Sequence, residues 1–176
     1  MNYLIRSARA DDLPRLPEIE HAASQLFRST EYAALADDTG PDLAAFEQWW
    51  RAGAIWVAVD TEDNVVGFAV AEEIDNQGFL TELDVHPAHG RRGLGRRLIE
   101  EVRAWAAQRE YTELRLSTFA RIEWNTPYYA RLGFCTLAEA ELGPELLKVR
   151  QREAASGLDV TQRVFMTLPV GKQIQP

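Results

Sequence analysis

The feature that most constrains the fold is a junction in the middle of the chain, where three kinds of pattern follow one another. The last residues of a β-rich run, Leu83–Val85, lead through His86 and Pro87 into the glycine- and arginine-rich segment Gly90–Arg96. From Leu94 to Gln108 the apolar residues recur with the spacing of one helix face. The sequence therefore predicts a β-strand that passes through a tight turn directly into an amphipathic helix.

The predicted turn has the chemistry of an anion-binding site. Glycines allow the backbone to approach a ligand closely, and the first N–H groups of a helix have no acceptors within that helix. The helix dipole adds to the attraction for a diphosphate. Four arginines surround the turn, namely Arg91, Arg92, Arg96 and Arg97. They either bind such an anion or form only a solvated basic patch, and the residue types alone leave both interpretations open.

The rest of the chain alternates between β-rich runs and helical stripes, which predicts a mixed α/β protein. We expect residues 1–170 to form a single domain and residues 171–176 a C-terminal tail. The predicted strands are Tyr3–Ser7, Ile55–Asp60, Val65–Ile74, Phe79–Val85, Leu114–Thr118, Phe134–Leu137 and Arg163–Leu168. The predicted helices are one running from the aspartates after Ala10 to Leu26, one ending near Ala52, Leu94–Gln108, Thr126–Leu132 and Pro144–Ala155.

Composition and residue spacing argue against nucleic-acid binding, membrane insertion and a metal site. The formal net charge of −8 argues against nonspecific nucleic-acid binding. No apolar stretch approaches the about 20 residues that span a bilayer, and no signal-peptide pattern is found, so we expect a cytoplasmic protein without a membrane partner. The histidines His21, His86 and His89 lack metal-site spacing, and we predict no metal. The single cysteine, Cys135, is expected to be a packed thiol without a catalytic role.

Two segments resemble the motifs of one enzyme family. The tripeptide Val85–Pro87, followed by Gly90–Gly95, resembles motif A of the GNAT superfamily of N-acetyltransferases. Further along, Asn125–Phe134 resembles motif B of that family, with an asparagine, a short helix that carries a tyrosine, and a closing Gly-Phe. Matching elements extend from Tyr3 to Leu168, so the resemblance covers almost the whole chain.

The resemblance implies the GNAT acyl-CoA N-acyltransferase fold, with acetyl-CoA as co-substrate. In that fold a central, mostly antiparallel sheet is splayed between its fourth and fifth strands and flanked by helices. From the residue type alone, Asn125 is equally suited to cap the helix that follows it. The cofactor contacts carried over from the family are Leu83, Asp84, Val85, Arg91, Arg92, Gly93, Leu94, Gly95, Arg96 and Asn125.

The resemblance also provides two catalytic candidates. Tyr129 has the family's offset from Gly133-Phe134 and would protonate the departing thiolate, while a merely packed aromatic is the alternative. Glu82 is the candidate general base, because an alkyl ammonium with a pKa near ~10.4 must lose a proton before it attacks. Strand alternation places Glu82 on the same face as Asp84, so lining the substrate pocket or forming a structural ion pair are its alternative roles.

We therefore expect an acetyl-CoA-dependent N-acetyltransferase that acetylates a primary amine by direct attack in a ternary complex. A small cationic amine is the predicted acceptor and partner. The alternatives are a protein N-terminus or lysine as acceptor, or a non-catalytic acyl-CoA-binding domain, and a homodimer is left open. Nucleotide or RNA binding is disfavoured because the glycine pattern completes no nucleotide fingerprint. The acidic and aromatic residues on the acceptor-facing elements are Glu18, Glu20, Phe27, Glu31, Asp37, Asp38, Glu72, Glu73, Phe119 and Trp124.

Overall fold

Seven strands form one mixed sheet in the computed structural model, which describes residues 2–38 and 40–171. The strands are β1 (Leu4–Ser7), β2 (Ile55–Val59), β3 (Val65–Ile74), β4 (Gln77–Val85), β5 (Glu113–Phe119), β6 (Cys135–Thr136) and β7 (Arg163–Pro169). Their order in the sheet is β1-β2-β3-β4-β5-β7-β6. Strands β4 and β5 pair in parallel, whereas the pairs β1–β2, β2–β3, β5–β7 and β6–β7 are antiparallel. The predicted fold class, a mixed sheet flanked by helices, is confirmed.

The helices follow the predicted order, with one difference near the start of the chain. The α-helices are α1 (Leu16–Ser24), α2 (Leu43–Arg51), α3 (Leu94–Gln108), α4 (Thr126–Arg131) and α5 (Pro144–Ala155). Short 3-10 helices cover Ala10–Arg15, Gln25–Ser29, Ala33–Asp37, Pro87–His89, Glu139–Glu141 and Val160–Gln162. None of the helices within the described ranges is long and apolar enough to cross a membrane.

The first predicted helix is shorter than expected because two prolines limit it. Pro14 lies inside the 3-10 helix that precedes α1, and Pro17 lies in the first turn of α1. Proline has no N–H to donate and its ring clashes with the preceding turn, so it is tolerated at a helix start and not in the interior. The α-helical hydrogen-bond pattern therefore begins only at Leu16.

The chain divides into two compact units. The first comprises Met1–Ala71 and Glu82–Val102, and the second comprises Glu72–Thr81 and Arg103–Pro176. Strands β3 and β4 and helix α3 each continue from one unit into the other. The single domain over residues 1–170 stays a prediction.

Each unit has an apolar core of its own. In the first unit the fully buried rings of Phe46 and Phe68 meet edge to face, with their centroids 5.3 Å apart. Around them pack the buried residues Leu13, Leu16, Ile19, Ile55, Val57, Val59, Val65 and Val70. The core of the second unit is formed by Ile74, Phe79, Leu146, Val149 and Phe165.

A tight turn between β3 and β4 also fixes the start of α5. Its residues Asp75 and Asn76 both have positive φ, 51° and 54°, as a type I′ hairpin turn requires. The carboxylate of Asp75 accepts hydrogen bonds from the N–H groups of Glu145 and Leu146, at 3.0 and 3.1 Å. Because the first N–H groups of a helix have no acceptors within it, Asp75 closes the hairpin and caps α5 at the same time.

Strand β4 carries the predicted site. Its segment Gly78–Leu80 pairs with Leu114–Leu116 of β5, and the strand then continues to Val85, where the glycine-rich loop follows. The splay between the fourth and fifth strands that the resemblance implies stays a prediction.

The prediction of a packed thiol at Cys135 is wrong. Phe134 is buried, but Cys135 and Thr136 are both exposed. The reason is that these two residues are the whole of β6, which is the last strand in the order of the sheet. The run from Phe134 to Leu137 therefore contacts the core through its two end residues, the buried Phe134 and the partly buried Leu137.

Candidate functional site

The predicted junction from strand to turn to helix is present, and it begins where β4 ends. The N–H of His86 donates to the carbonyl of Val66 in β3 at 2.9 Å, and the chain then turns through the 3-10 helix Pro87–His89. The Nδ1 atom of His86 accepts from the N–H of Ala88 at 3.3 Å. Since Pro87 has no N–H to donate, regular strand pairing cannot continue past His86.

Two residues of the loop adopt left-handed backbone conformations. The φ angles of Arg91 and Gly93 are 58° and 76°. A Cβ atom added at Gly93 would meet no atom of the described residues within 4 Å, so glycine is needed there for its conformation and not for space. Arg91 has no such freedom, and its conformation costs about 1–2 kcal/mol. Costs of this kind persist where the surrounding structure enforces them, and they cluster at ligand-binding sites.

The loop ends on the N-terminus of α3. The carbonyl of Gly93 accepts from the N–H of Arg97 at 3.1 Å, so Gly93 occupies the N-cap position. The N–H groups of Leu94, Gly95 and Arg96 therefore have no acceptor within the helix. Together with the positive end of the helix dipole, they make an anion-binding site of the kind that holds a pyrophosphate.

The arginines of the junction differ in their contacts. Arg91 is exposed. Arg96 is paired with Glu100 one turn further along α3, at 3.1 Å between Nε and Oε1, so part of its charge is already compensated. Arg92 and Arg97 both contact Tyr3, near the start of the chain. Two of the four arginines, Arg92 and Arg97, therefore have defined partners elsewhere in the fold. For this reason the four arginines together do not form a uniform solvated patch.

Tyr3 is a residue that the sequence analysis missed. Its hydroxyl oxygen lies 2.6 Å from Nη1 of Arg92 and 3.0 Å from Nδ1 of His89. Its carbonyl accepts from Nη2 of Arg97 at 3.0 Å, and the guanidinium carbon of Arg92 lies 5.8 Å from the centroid of its ring. The contacting residues are separated by 86 to 94 positions in the chain, so no local sequence pattern predicts these contacts.

Strand β4 carries two carboxylates, Glu82 and Asp84. They lie two residues apart, so strand alternation places them on the same face of the strand. Burial raises the pKa of Asp84 to about 8, and the negative charge of Glu20 in α1 acts in the same direction. Burial also raises the pKa of Glu20, an effect that His21 opposes and Asp38 reinforces. The structure therefore places one of the predicted acceptor-facing acids, Glu20, within electrostatic range of β4.

The start of α4 shows whether Asn125 caps the helix that follows it. The N–H of Tyr129 donates to the carbonyl of Asn125 at 2.9 Å, so Asn125 is the N-cap residue by its backbone. Its side chain makes no capping hydrogen bond to the described residues. The side-chain amide, which would be the group that contacts a cofactor, therefore does not take part in starting the helix.

The end of α4 explains the fixed offset between Tyr129 and the closing Gly-Phe. Gly133 has a φ of 96°, its N–H donates to the carbonyl of Ala130 at 3.0 Å, and the N–H of Phe134 donates to the carbonyl of Tyr129 at 3.1 Å. This is the Schellman arrangement, in which a glycine ends the helix and the next residue folds back onto the last turn. The rings of Phe134 and Tyr129 accordingly meet edge to face at 5.6 Å. The buried Phe134 thus holds one side of the half-buried Tyr129 ring.

The predicted site residues are divided between the two units. Glu82, Asp84 and the loop belong to the first unit, whereas Asn125 and Tyr129 belong to the second. Within the first unit the loop contacts Tyr3 and Asp84 interacts with Glu20, and within the second Tyr129 packs on Phe134. Over residues 2–38 and 40–171, no group of three or more His, Cys, Asp or Glu side chains is arranged to hold a metal ion.

The chain is similar to known acetyltransferases. A model of the acetyltransferase (GNAT) family matches residues 16–134, which include the loop and the whole of the motif B segment. The fold is similar to that of an acetyltransferase of the GNAT family from Staphylococcus aureus, with a TM-score of 0.75 and 18% sequence identity. That similarity covers 96% of this chain and 99% of the other.

Two further solved structures of similar fold contain coenzyme A. One is N-acetylglutamate synthase from Neisseria gonorrhoeae, complexed with coenzyme A and N-acetyl-glutamate, with a TM-score of 0.71, 17% identity, and coverage of 98% of this chain and 36% of that one. The other is the PaiA N-acetyltransferase from Thermoplasma acidophilum in complex with coenzyme A, with a TM-score of 0.67, 17% identity, and coverage of 96% and 99%. At these identities the similarity shows the fold alone.

Proposed function

Because the chain belongs to the acetyltransferase (GNAT) family, we propose that it transfers the acetyl group of acetyl-CoA to a primary amine, with a small cationic amine as acceptor. The observation that carries this proposal is the junction of β4 and α3. There the matched family segment coincides with a left-handed loop that ends on the unpaired N–H groups of a helix. This arrangement fits the diphosphate of coenzyme A.

The proposed cofactor site follows the chain from the end of β4 into α3. The backbone of the strand end would bind the amide groups of the pantetheine arm, and the loop and helix start would bind the diphosphate. The side-chain amide of Asn125 is included in the proposed site because of the family resemblance of its segment. The residues proposed to contact acetyl-CoA are Leu83, Asp84, Val85, Arg91, Arg92, Gly93, Leu94, Gly95, Arg96 and Asn125.

The proposed reaction needs three proton transfers, two of which involve named groups of the chain. The acceptor ammonium loses a first proton to a carboxylate of β4, and its nitrogen then attacks the acetyl carbonyl carbon. As the carbon–sulfur bond breaks, the Tyr129 hydroxyl gives its proton to the thiolate, whose pKa as a free thiol is near ~8.5. The nitrogen releases its second proton, which returns through solvent to the Tyr129 phenolate. The products are the acetylated amine and the free thiol of coenzyme A.

Two carboxylates of β4, Glu82 and Asp84, are candidates for the general base. The family resemblance predicts Glu82, whereas the raised pKa of Asp84 supports Asp84, because a base works best when its pKa lies near the working pH. A carboxyl group with a pKa of about 8 accepts a proton from an ammonium more readily than an ordinary aspartate does. We therefore propose Asp84 as the base and retain Glu82 as the alternative.

The charge of Glu20 near β4 also supports a cationic acceptor. It disfavours the ionised form of Asp84, and a bound ammonium group would offset that repulsion. A neutral or anionic acceptor would have no such gain. A protein N-terminus or a lysine side chain also carries an ammonium group, so these acceptors differ from a small amine in size and not in charge.

The proposal is tested by binding and then by turnover. Calorimetric titration with acetyl-CoA, beside ATP, NAD and RNA, is expected to show binding of acetyl-CoA alone. Release of free thiol is then followed with a panel of small amines, aminoglycosides, amino acids and peptides. Binding without thiol release from any acceptor would indicate a non-catalytic acyl-CoA-binding domain, and absence of binding would refute the proposal.

Replacing Gly93 with alanine is expected to weaken acetyl-CoA binding, because alanine disfavours the left-handed conformation that aims the loop at the ligand. Gly53 provides a matched control, since it also has positive φ, 72°, and open space around its Cα. Gly53→Ala should lose a similar free energy of unfolding, about 1 kcal/mol, yet bind acetyl-CoA like the wild type. Equal affinities of both variants for acetyl-CoA would remove the loop from the site.

A further inference from the structure

We propose that Tyr3 is a positioning residue for the phosphate-binding loop, which it ties to the start of the chain through Arg92, His89 and Arg97. This inference rests on the proposed function, since the ligand of the loop is the diphosphate of acetyl-CoA. Tyr3 itself would not touch that ligand. It would act by holding the guanidinium of Arg92 in one place before the ligand arrives.

The directions of the hydrogen bonds around the Tyr3 hydroxyl follow from the groups that meet there. The guanidinium of Arg92 can only donate, so the phenol oxygen must accept from it at 2.6 Å. The hydroxyl oxygen also lies 3.0 Å from Nδ1 of His89, and the tautomer of the ring decides which of the two groups donates. In a neutral ring with its proton on Nε2, Nδ1 accepts the hydroxyl proton. Burial and the nearby charge of Arg92 lower the pKa of His89, in agreement with a neutral ring.

Tyr3 makes two further contacts with this segment, and Arg92 makes one more within the loop. Its ring lies beneath the guanidinium of Arg92, at 5.8 Å from the centroid, and Arg92 also donates to the carbonyl of Ala88 at 3.4 Å. Its carbonyl accepts from Arg97 in the first turn of α3. An exposed arginine samples many rotamers, and fixing it costs entropy when a ligand binds. Contacts that fix it beforehand transfer that cost to folding and improve affinity.

The test replaces Tyr3 with phenylalanine, which keeps the ring and the backbone carbonyl and removes only the hydroxyl. The Kd for acetyl-CoA, measured by calorimetry, is expected to rise about 3- to 10-fold, the factor typical of one hydrogen bond. In steady-state kinetics the change should fall on KM for acetyl-CoA and not on kcat. Tyr111→Phe is the matched control, because it also removes a bonded hydroxyl, the one 2.5 Å from Glu73, and it makes none of the contacts of Tyr3 with Arg92, His89 and Arg97.

A double-mutant cycle separates positioning from a general loss of stability. In an Arg92→Ala background, Tyr3→Phe should cause little further loss of affinity, because the group that it positions is gone. The same fold-loss in both backgrounds, or an unchanged Kd for Tyr3→Phe, would overturn the role of Tyr3 while leaving the proposed function intact. Failure of the wild-type protein to bind acetyl-CoA would overturn both.

Discussion

Replacing Tyr129 with phenylalanine is expected to lower kcat about 10²-fold or more, because general acid catalysis typically contributes ~10²–10⁴ in rate. The hydroxyl is the only group removed, and in the proposed mechanism it supplies the proton to the departing thiolate. Since the group acts on the leaving group during bond cleavage, the Kd for acetyl-CoA should stay close to that of the wild type. Steady-state kinetics and calorimetry on the same preparation measure the two quantities.

Loss of structure should not account for this fall in kcat. The edge-to-face contact of the Tyr129 ring with Phe134 is kept in the variant, and so are the backbone hydrogen bonds that end α4. Tyr128→Phe is the natural control, because it removes the same atom from the neighbouring ring of the same helix. A kcat near the wild-type value for Tyr129→Phe would assign the proton to water or to another residue.

The parts of the site that were predictable from sequence are those encoded within a few residues. The junction at Leu83–Gln108 combines a proline, glycines and a change of apolar period, and each of these acts locally. The offset of Tyr129 from Gly133 and Phe134 is equally local, because the hydrogen bonds of the helix end span only three to five residues. The position of a tyrosine four residues before the glycine is therefore fixed by the same geometry that requires the glycine.

The parts that were not predictable depend on the fold. The contact of Tyr3 with Arg92 joins positions 89 residues apart, and the interaction of Glu20 with Asp84 joins a helix to a strand. Neither pair has a period or a motif that would reveal it. The shortened α1 is different, because Pro14 and Pro17 are visible in the sequence and already restrict where an α-helix can begin.

The second large effect is expected at Asp84. Asp84→Asn should lower kcat/KM for the acceptor about 10²- to 10⁴-fold, the range for loss of a general base. In the wild type, kcat/KM should rise with pH up to about 8, because Asp84 must be ionised to accept a proton and its pKa is raised to that value. The pH profile of the variant should lack this rise. Initial rates measured between pH 6 and 10 (roughly the range on both sides of that pKa) test both statements.

Glu20→Gln should displace the same profile. The negative charge of Glu20 is the second cause of the raised pKa of Asp84, after burial, so its removal lowers that pKa. The rise in kcat/KM should then occur at lower pH, while Asp84 remains present as a base. A profile that stays at the wild-type position would show that Asp84 is not the group that titrates.

The raised pKa of Asp84 also fixes the sign of a stability effect. Its ordinary pKa is 3.8, so between about 4 and 8 the folded state retains a proton that the unfolded state has released. The free energy of unfolding should therefore fall as pH rises through this window, and the contribution is constant outside it. Asp84→Asn cannot ionise, and it should be more stable than the wild type at pH 8 while being far less active. Denaturant unfolding of both proteins at two pH values measures this difference.

Glu82→Gln decides between the two carboxylates of β4. The two side chains lie two residues apart on one strand, so the substitution makes a similar change of charge and size close to Asp84. If Asp84 is the base, Glu82→Gln should keep the limb of the pH profile near 8 and reduce kcat/KM far less than Asp84→Asn does. If instead the limb disappears in Glu82→Gln and persists in Asp84→Asn, the proton is taken by Glu82. In that case burial and the charge of Glu20 would still raise the pKa of Asp84, but Asp84 would take no part in the proton transfer.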